Sequence, residues 1–404
     1  MQDAQPKDLP HRLYKQYRFQ LSATTSSLNI PKLDVDTAVS AANFDLAHPI
    51  PRRFTQMIKT HGYAAQSATT PLALFDYEHR EPGPKDVHIE IDFCGICHSD
   101  IHQARNEWGN AIYPMVPGHE ILGTVKQIGS EVTKFKVGDL AAIGCMVDSC
   151  RICASCKAGE EQYCDNHATV FTYNSKDKQG NLTFGGYGTN IVADESFVLK
   201  VPTNLDPAAV APLLCAGITT YSPLKHWNAG PGKKIGVVGL GGLGHMALKF
   251  SHAFGAHTVM FTTSPGKIED AKKLGADEVV LTKEPNWHAA HAGTFDFILD
   301  CVSADHDINP YLALLKRDAV YCTVGVPETP ISVHAFSVVA GRKSVTGSAI
   351  GGIKETQEML DFCGKHNIVS DIEMTSFDKL DEAWTRVIKG DVKYRFVLDL
   401  KSLK

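Results

Sequence analysis

KIGVVGLGGLGH, residues 234–245, runs a short apolar segment straight into a glycine cluster. Gly239, Gly241 and Gly244 stand at G-x-G-x-x-G spacing, with Gly242 and Leu243 between them. The spacing alone is weak. Its place after an apolar strand at 234–238, and before an apolar-periodic segment near 246–254, is what a dinucleotide-binding turn requires. Gly239 permits the tight turn, Gly241 lets backbone approach a pyrophosphate, and Gly244 lets the following helix pack closely. The helix N-terminus then faces the phosphates. A glycine-rich turn of purely structural use is the competing reading, and the strand–turn–helix context disfavours it.

Outward from that turn, strand and helix alternate. Further strands are predicted at 257–262, 278–281, 295–301 and 319–324, with helical stretches between most of them. That rhythm implies an α/β, doubly wound parallel sheet with helices on both faces. Before residue 215 the pattern differs. DVHIEID at 86–92 alternates polar and apolar residues, as do 121–128 and 137–143. Short strands between glycine and proline turns predict an irregular β domain. The division expected is 57–214 together with 350–404 for the β domain, and 215–349 for the dinucleotide domain. Residues 1–56 form a polar, mildly basic N-terminal extension. Asp3, Asp8, Asp34, Asp36 and Asp45 fit a transit peptide poorly, and Met57 could start the compact fold.

The second strand of the dinucleotide domain should end near 261–264, roughly 20 residues past the glycines, where an NAD enzyme places Asp or Glu for the ribose 2′-hydroxyl. Here the chain reads FTTSPGK, and no acidic residue occurs from His245 to Ile268. Thr263 and Ser264 can donate hydrogen bonds to a 2′-phosphate, and Lys267 can neutralise it. NADP(H) is the expected cofactor.

Of the 404 residues, 43% are hydrophobic and 21% charged, with a net charge of -5. Nothing there resembles a nucleic-acid or anionic-lipid footprint, and no apolar run approaches the ~18 residues that cross a bilayer. Eleven cysteines without a secretory leader suit metal binding in a reducing cytoplasm better than disulfides.

Cys150, Cys153, Cys156 and Cys164 follow C-x2-C-x2-C-x7-C. Four thiolates at that spacing suit a closed tetrahedral Zn²⁺ site that supports a loop without its own core. An iron–sulfur cluster is the alternative, though no proline follows the fourth cysteine. Cys97 in FCGICHSDIH, His119-Glu120 in PGHE and Cys215 in LLCAGIT form a second, mixed set. Singly, each reads as a buried packing residue. Together with a cofactor domain, two thiolates and one imidazole leave Zn²⁺ a fourth position for water or a substrate oxygen.

These stretches, with VPGHEILG, LLCAGITTYSPL, GLGGLGH and DVKYRFV, carry a resemblance to the zinc-dependent medium-chain alcohol dehydrogenases, and within them to the cinnamyl alcohol dehydrogenase branch with its bacterial broad-specificity aldehyde reductases. The resemblance runs from about residue 84 to the end. It implies a GroES-like β domain beside a Rossmann domain, Cys97, His119 and Cys215 as catalytic zinc ligands, and Glu120 close to the metal. It also implies that Asp100 orients His119, a role that metal-bound imidazoles generally require; a helix cap is the other reading for Asp100. By the same resemblance Arg395 approaches the cofactor phosphates, with an ordinary ion pair as the alternative, and Trp108 walls the substrate cleft. His98 stands where some relatives carry an arginine against the pyrophosphate.

Ser99, two residues past the first ligand, can hydrogen-bond a substrate oxygen, and His102, three residues further on, supplies an imidazole of the kind that relays protons to solvent. Members of the branch often carry threonine where Ser99 stands. The expected activity is NADPH-dependent reduction of aliphatic and aromatic aldehydes to primary alcohols, by a cytoplasmic homodimer with two zinc ions per chain and neither nucleic-acid nor membrane partners. A polyol dehydrogenase is the runner-up; such relatives usually lack a ligand equivalent to Cys215 and prefer NAD. A non-catalytic nucleotide-binding zinc protein is the alternative from another class.

Overall fold

The computed structural model describes residues 57–403, so the expectation for the 1–56 extension lies outside the described residues. Its centre is a six-stranded parallel sheet. In spatial order the strands are Glu278–Leu281, His257–Thr262, Lys234–Val238, Phe295–Asp300, Leu315–Thr323 and Ser344–Gly347. Counting from the Lys234 strand, this is 3-2-1-4-5-6, the doubly wound order in which the crevice beside the first strand takes the dinucleotide. Val237 and Val238 are buried on both sides of the sheet, as a central parallel strand must be.

A second sheet lies in the β-rich lobe. Asp86–Gly95 pairs antiparallel with Ile121–Ile128 and with Asn190–Asp194, and Ile121–Ile128 pairs with Leu140–Ile143. The C-terminal strand Arg395–Asp399 returns to this sheet, antiparallel to Asp86–Gly95, and brings Ile372–Thr375 with it. The chain thus leaves the β lobe, builds the parallel sheet and comes back. Ile89, Ile91, Ile121, Val125 and Phe396 close one core here, while Leu213, Ile218, Met246, Phe250 and Leu299 close another that spans the cofactor lobe.

Three boundaries differ from expectation. The segment predicted at 137–143 is a strand only over Leu140–Ile143, because Gly138 takes φ +92 and Lys136 and Asp139 close a turn ahead of it. The helix after the glycines starts at Gly244, two residues early. The strand predicted at 319–324 begins at Leu315, on a stretch whose exposed Lys316, Arg317 and Asp318 hide the pattern. The hairpin of Ile58–Ala64 with Ala73–His79 and the edge strand Ser344–Gly347 carried too little apolar alternation to be anticipated.

Candidate active site

The site grows out of one turn. Cys97 caps the short helix His98–Ala104, and Asp100 at its third position accepts the Cys97 backbone N–H at 3.0 Å. The same carboxylate takes the Gly118 N–H at 3.0 Å and lies 3.0 Å from His119 Nδ1. Asp100 thus makes both contacts, to the cap N–H and to the imidazole. Its burial is complete. Tyr187 lies 3.4 Å from the second oxygen and is itself bonded by Trp384 Nε1 at 3.3 Å. With Nδ1 held by a carboxylate, His119 offers Nε2 to a metal.

Cys215 arrives from the other side, at the cap of the helix Ala216–His226. Its Sγ lies 3.9 Å from that of Cys97. That is far outside a disulfide bond (~2.05 Å) and suits two sulfurs around one small cation. Donor atoms of Cys97, His119, Glu120 and Cys215 all lie within 4.8 Å of one another. Glu120 is fully buried, with one oxygen paired to Arg395 and the other, Oε2, lacking any partner. A buried carboxylate oxygen left open beside two thiols and an imidazole fits a divalent cation. Gly95 was not anticipated: a β-carbon there would lie 1.9 Å from Glu120 Oε2, so only glycine leaves the carboxylate its place.

Arg395 is buried at 6% exposure, between the metal-binding cluster and the glycine turn. One guanidinium nitrogen bonds Glu120, and another would lie 2.8 Å from a β-carbon placed on Gly242. Burial raises the Glu120 carboxyl, against the pull of the Arg395 charge. The ion-pair alternative for Arg395 is therefore present, but buried rather than on the surface, and beside the glycine turn.

That turn has the geometry its glycines imply. Gly239 takes φ +89, nothing lies within 4 Å of a β-carbon on Gly241, and one on Gly244 would meet the Gly239 carbonyl at 1.8 Å. Thr263, Ser264 and Lys267 stand along the same cleft, and Lys267 Nζ donates to the Leu240 carbonyl at 2.7 Å. His245, next in the helix, is wholly buried between Gly241 and Ser370, 3.0 Å from the Ser370 hydroxyl, and burial pulls its pKa down to about 3. An unfolded chain would bind a proton there below about pH 6.5 and the folded one would not, so stability must fall as the medium is acidified. Between pH 7 and 5 this site should cost about 2 kcal/mol. Urea unfolding at both pH values should show a smaller acid loss for His245→Leu than for the unaltered chain.

Ser99, His102 and Trp108 line the cleft with Cys97 and His119. Ser99 Oγ lies 3.6 Å from Cys97 Sγ. His102 stacks between Trp108 at 5.3 Å and His98 at 5.9 Å, and its Nδ1 bonds the Glu107 carboxylate. The cleft encloses about 970 Å³. Its walls include Phe171, Tyr173, Ile350 and Ile388, none of which was singled out in the sequence. Tyr173 stacks on His119 at 5.7 Å.

The other four thiols gather apart from this cleft. Cys150 and Cys156 are 3.8 Å apart, Cys153 and Cys164 are 3.9 Å apart, and all four donors fit within 4.8 Å. Backbone N–H groups of Cys153 and Cys156 point at the sulfurs of Cys150 and Cys153 at 3.4 Å, as thiolates favour. No fourth position is left open, so the set suits a closed structural ion.

A catalytic lobe with an open mixed-ligand metal site, facing a doubly wound dinucleotide sheet, defines a metal-dependent nicotinamide dehydrogenase. Family models agree: one described as alcohol dehydrogenase GroES-like domain matches residues 83–203, and one described as zinc-binding dehydrogenase matches 242–365. The chain belongs to the zinc-binding alcohol dehydrogenases. It is 53% identical over 348 residues to aldehyde reductase YahK of Escherichia coli (strain K12), covering 86% of this chain and 99% of that one. It is equally 53% identical to NADP-dependent alcohol dehydrogenase C 1 of Mycolicibacterium smegmatis, covering 86% and 100%. Among solved structures it resembles a cinnamyl alcohol dehydrogenase (SbCAD4) of Sorghum bicolor, with TM-score 0.83, 45% identity and coverage of 86% and 99%. The Helicobacter pylori CAD complexed with NADP(H) gives TM-score 0.81, 41% identity and coverage of 86% and 99%.

Proposed function

We propose that this protein reduces aldehydes to primary alcohols with NADPH, reversibly, at a zinc centre held by Cys97, His119 and Cys215. The observation that carries the reading is the convergence of those three side chains on one point of a cleft floored by the glycine turn. The kinship with an aldehyde reductase and with NADP-dependent alcohol dehydrogenases supports it. The functional division is 57–214 with 350–404 for catalysis, and 215–349 for the cofactor.

When bound, zinc supplies polarisation of the carbonyl as a Lewis acid, and reduced nicotinamide supplies the hydride. The protein's own groups do the rest. Cys97, His119 and Cys215 fix the cation, and Asp100 fixes the imidazole. Glu120 stands beside them as an oxygen donor for ligand exchange. Ser99 sets its hydroxyl beside the Cys97 sulfur, where it donates a proton to the product oxygen and refills it from His102. Glu107 accepts from His102 Nδ1–H, which makes Nε2 the atom that takes and gives the proton. Gly239, Gly241, Gly242, Leu243 and Gly244 seat the pyrophosphate, while Thr263, Ser264 and Lys267 hold the 2′-phosphate, with Arg395 beneath the turn. Trp108, Tyr173 and Ile350 give the cleft an apolar wall suited to aliphatic and aromatic aldehydes rather than sugars.

The test is NADPH oxidation with benzaldehyde, and mannitol oxidation in parallel, before and after chelation. The expected result is two zinc ions per chain, benzaldehyde turnover abolished by the chelator, and little activity toward the polyol. One ion per chain, or turnover indifferent to chelation, would refute the assignment.

The subunits pair through the free edge of the parallel sheet at Ser344–Gly347, where Phe336 and Val339 stand 84% and 72% exposed. Exposed apolar groups beside an open strand edge call for a partner. Phe336→Glu should convert a dimer into a monomer in light scattering; a wild-type monomer would refute the pairing. Among the described residues no helix is long and apolar enough to cross a membrane. The described cysteines are all free thiols, which suits a reducing cytoplasm.

A further inference from the structure

Lys393, Tyr394 and Arg395 reach from the catalytic lobe to the cofactor lobe one after another. Arg395 lies against Gly242, and the Tyr394 ring stacks on His245 at 5.1 Å. Lys393 Nζ sits 2.5 Å from Asp270 Oδ2, on a side chain that is 69% exposed. Asp270 belongs to the helix Ile268–Lys273 and lies three residues beyond Lys267. Burial first, and the charge of Lys393 second, pull the Lys267 pKa down, so the two ammonium groups lie close enough to feel one another. Lys273 adds a further positive charge near Asp270. Lys393 and Lys273 both act on Asp270, and with Lys267 and Lys272 they outnumber the carboxylates Glu269 and Asp270, which leaves net positive charge close to Ser264. An exposed lysine–aspartate pair is worth only ~0–1 kcal/mol, so its ammonium is easily drawn to a stronger acceptor. A phosphate monoester, with close to two negative charges, is one.

We propose that Lys393 is a second 2′-phosphate-binding residue, leaving Asp270 for the phosphate held by Ser264 and Lys267. The cofactor would then be selected by both lobes at once. This rests on the NADP(H) reading above. A neutral 2′-hydroxyl offers Lys393 nothing to exchange for Asp270, so NADH binds without it.

Calorimetric titration of the full chain with 2′,5′-ADP and with 5′-ADP tests this without turnover. The unaltered protein should prefer 2′,5′-ADP. Lys393→Gln should weaken 2′,5′-ADP roughly tenfold, the worth of one hydrogen bond to a charged group, and leave 5′-ADP within about twofold. Asp270→Asn should tighten 2′,5′-ADP, because it removes the competing acceptor. Equal losses for both ligands in Lys393→Gln, or none, would overturn the proposal. So would weakening by Asp270→Asn, which would make the pair a strap between lobes. An unaltered protein with no preference between the two ligands would instead sink the NADP(H) reading itself.

Discussion

Cys97→Ala should leave one zinc ion per chain instead of two, and lower kcat/KM for benzaldehyde by on the order of a thousandfold. Cys97 contributes a sulfur to a cluster whose other members come from different elements, and two ligands hold Zn²⁺ far less well than three. Losing the Lewis acid forfeits several kcal/mol of transition-state stabilisation, and each 1.36 kcal/mol is a factor of about ten. The backbone cap made by Asp100 survives the change, because it runs to the Cys97 N–H and not to its sulfur. The helix His98–Ala104 should therefore persist, and circular dichroism should be unchanged. The remaining ion belongs to Cys150, Cys153, Cys156 and Cys164. Retention of both ions, with a loss under tenfold, would show that Cys97 is a packing residue.

Arg395→Met should destabilise the fold by about 3–5 kcal/mol, the usual consequence of stripping a buried charge of its partner. Glu120 is wholly enclosed and Arg395 is its ion-pair partner. The double variant Glu120→Gln with Arg395→Met should recover most of that loss in urea unfolding, since no buried charge then stands alone. Its affinity for NADPH should stay low, because the guanidinium next to Gly242 is still missing. Full recovery of cofactor binding in the double variant would confine Arg395 to pairing with Glu120.

Much of this was legible in the residues, for identifiable reasons. Glycine spacing is a backbone constraint, so φ +89 at Gly239 and the 1.8 Å contact avoided at Gly244 are written directly into the amino-acid types. Cysteine spacing is likewise local, and the four-thiol lobe was readable from one segment. The parallel sheet announced itself through strands such as Lys234–Val238 and His257–Thr262, which are largely apolar runs. The irregular β lobe was harder: its pairings are long-range, and segments such as Ile58–Ala64 are half polar. Lining residues were harder still. Tyr173, Ile350 and Ile388 meet only after the chain has crossed between lobes, and nothing near them in sequence marks a wall. The pairing of Glu120 with Arg395 spans 275 residues, beyond the reach of any local pattern.

Asp100 ties together two contacts, one with the Cys97 backbone and one with the His119 imidazole. Because a single carboxylate both starts a helical turn and holds the His119 ring, that imidazole is aimed by ordinary chain folding. The cysteine lobe has hydrogen bonds of its own, such as Ser155 to Asp165 at 2.6 Å, but four neighbouring thiolates repel one another until a cation stands between them. Stripped protein should therefore regain activity on simple addition of zinc if only the cleft was emptied, and require renaturation if the lobe was emptied too.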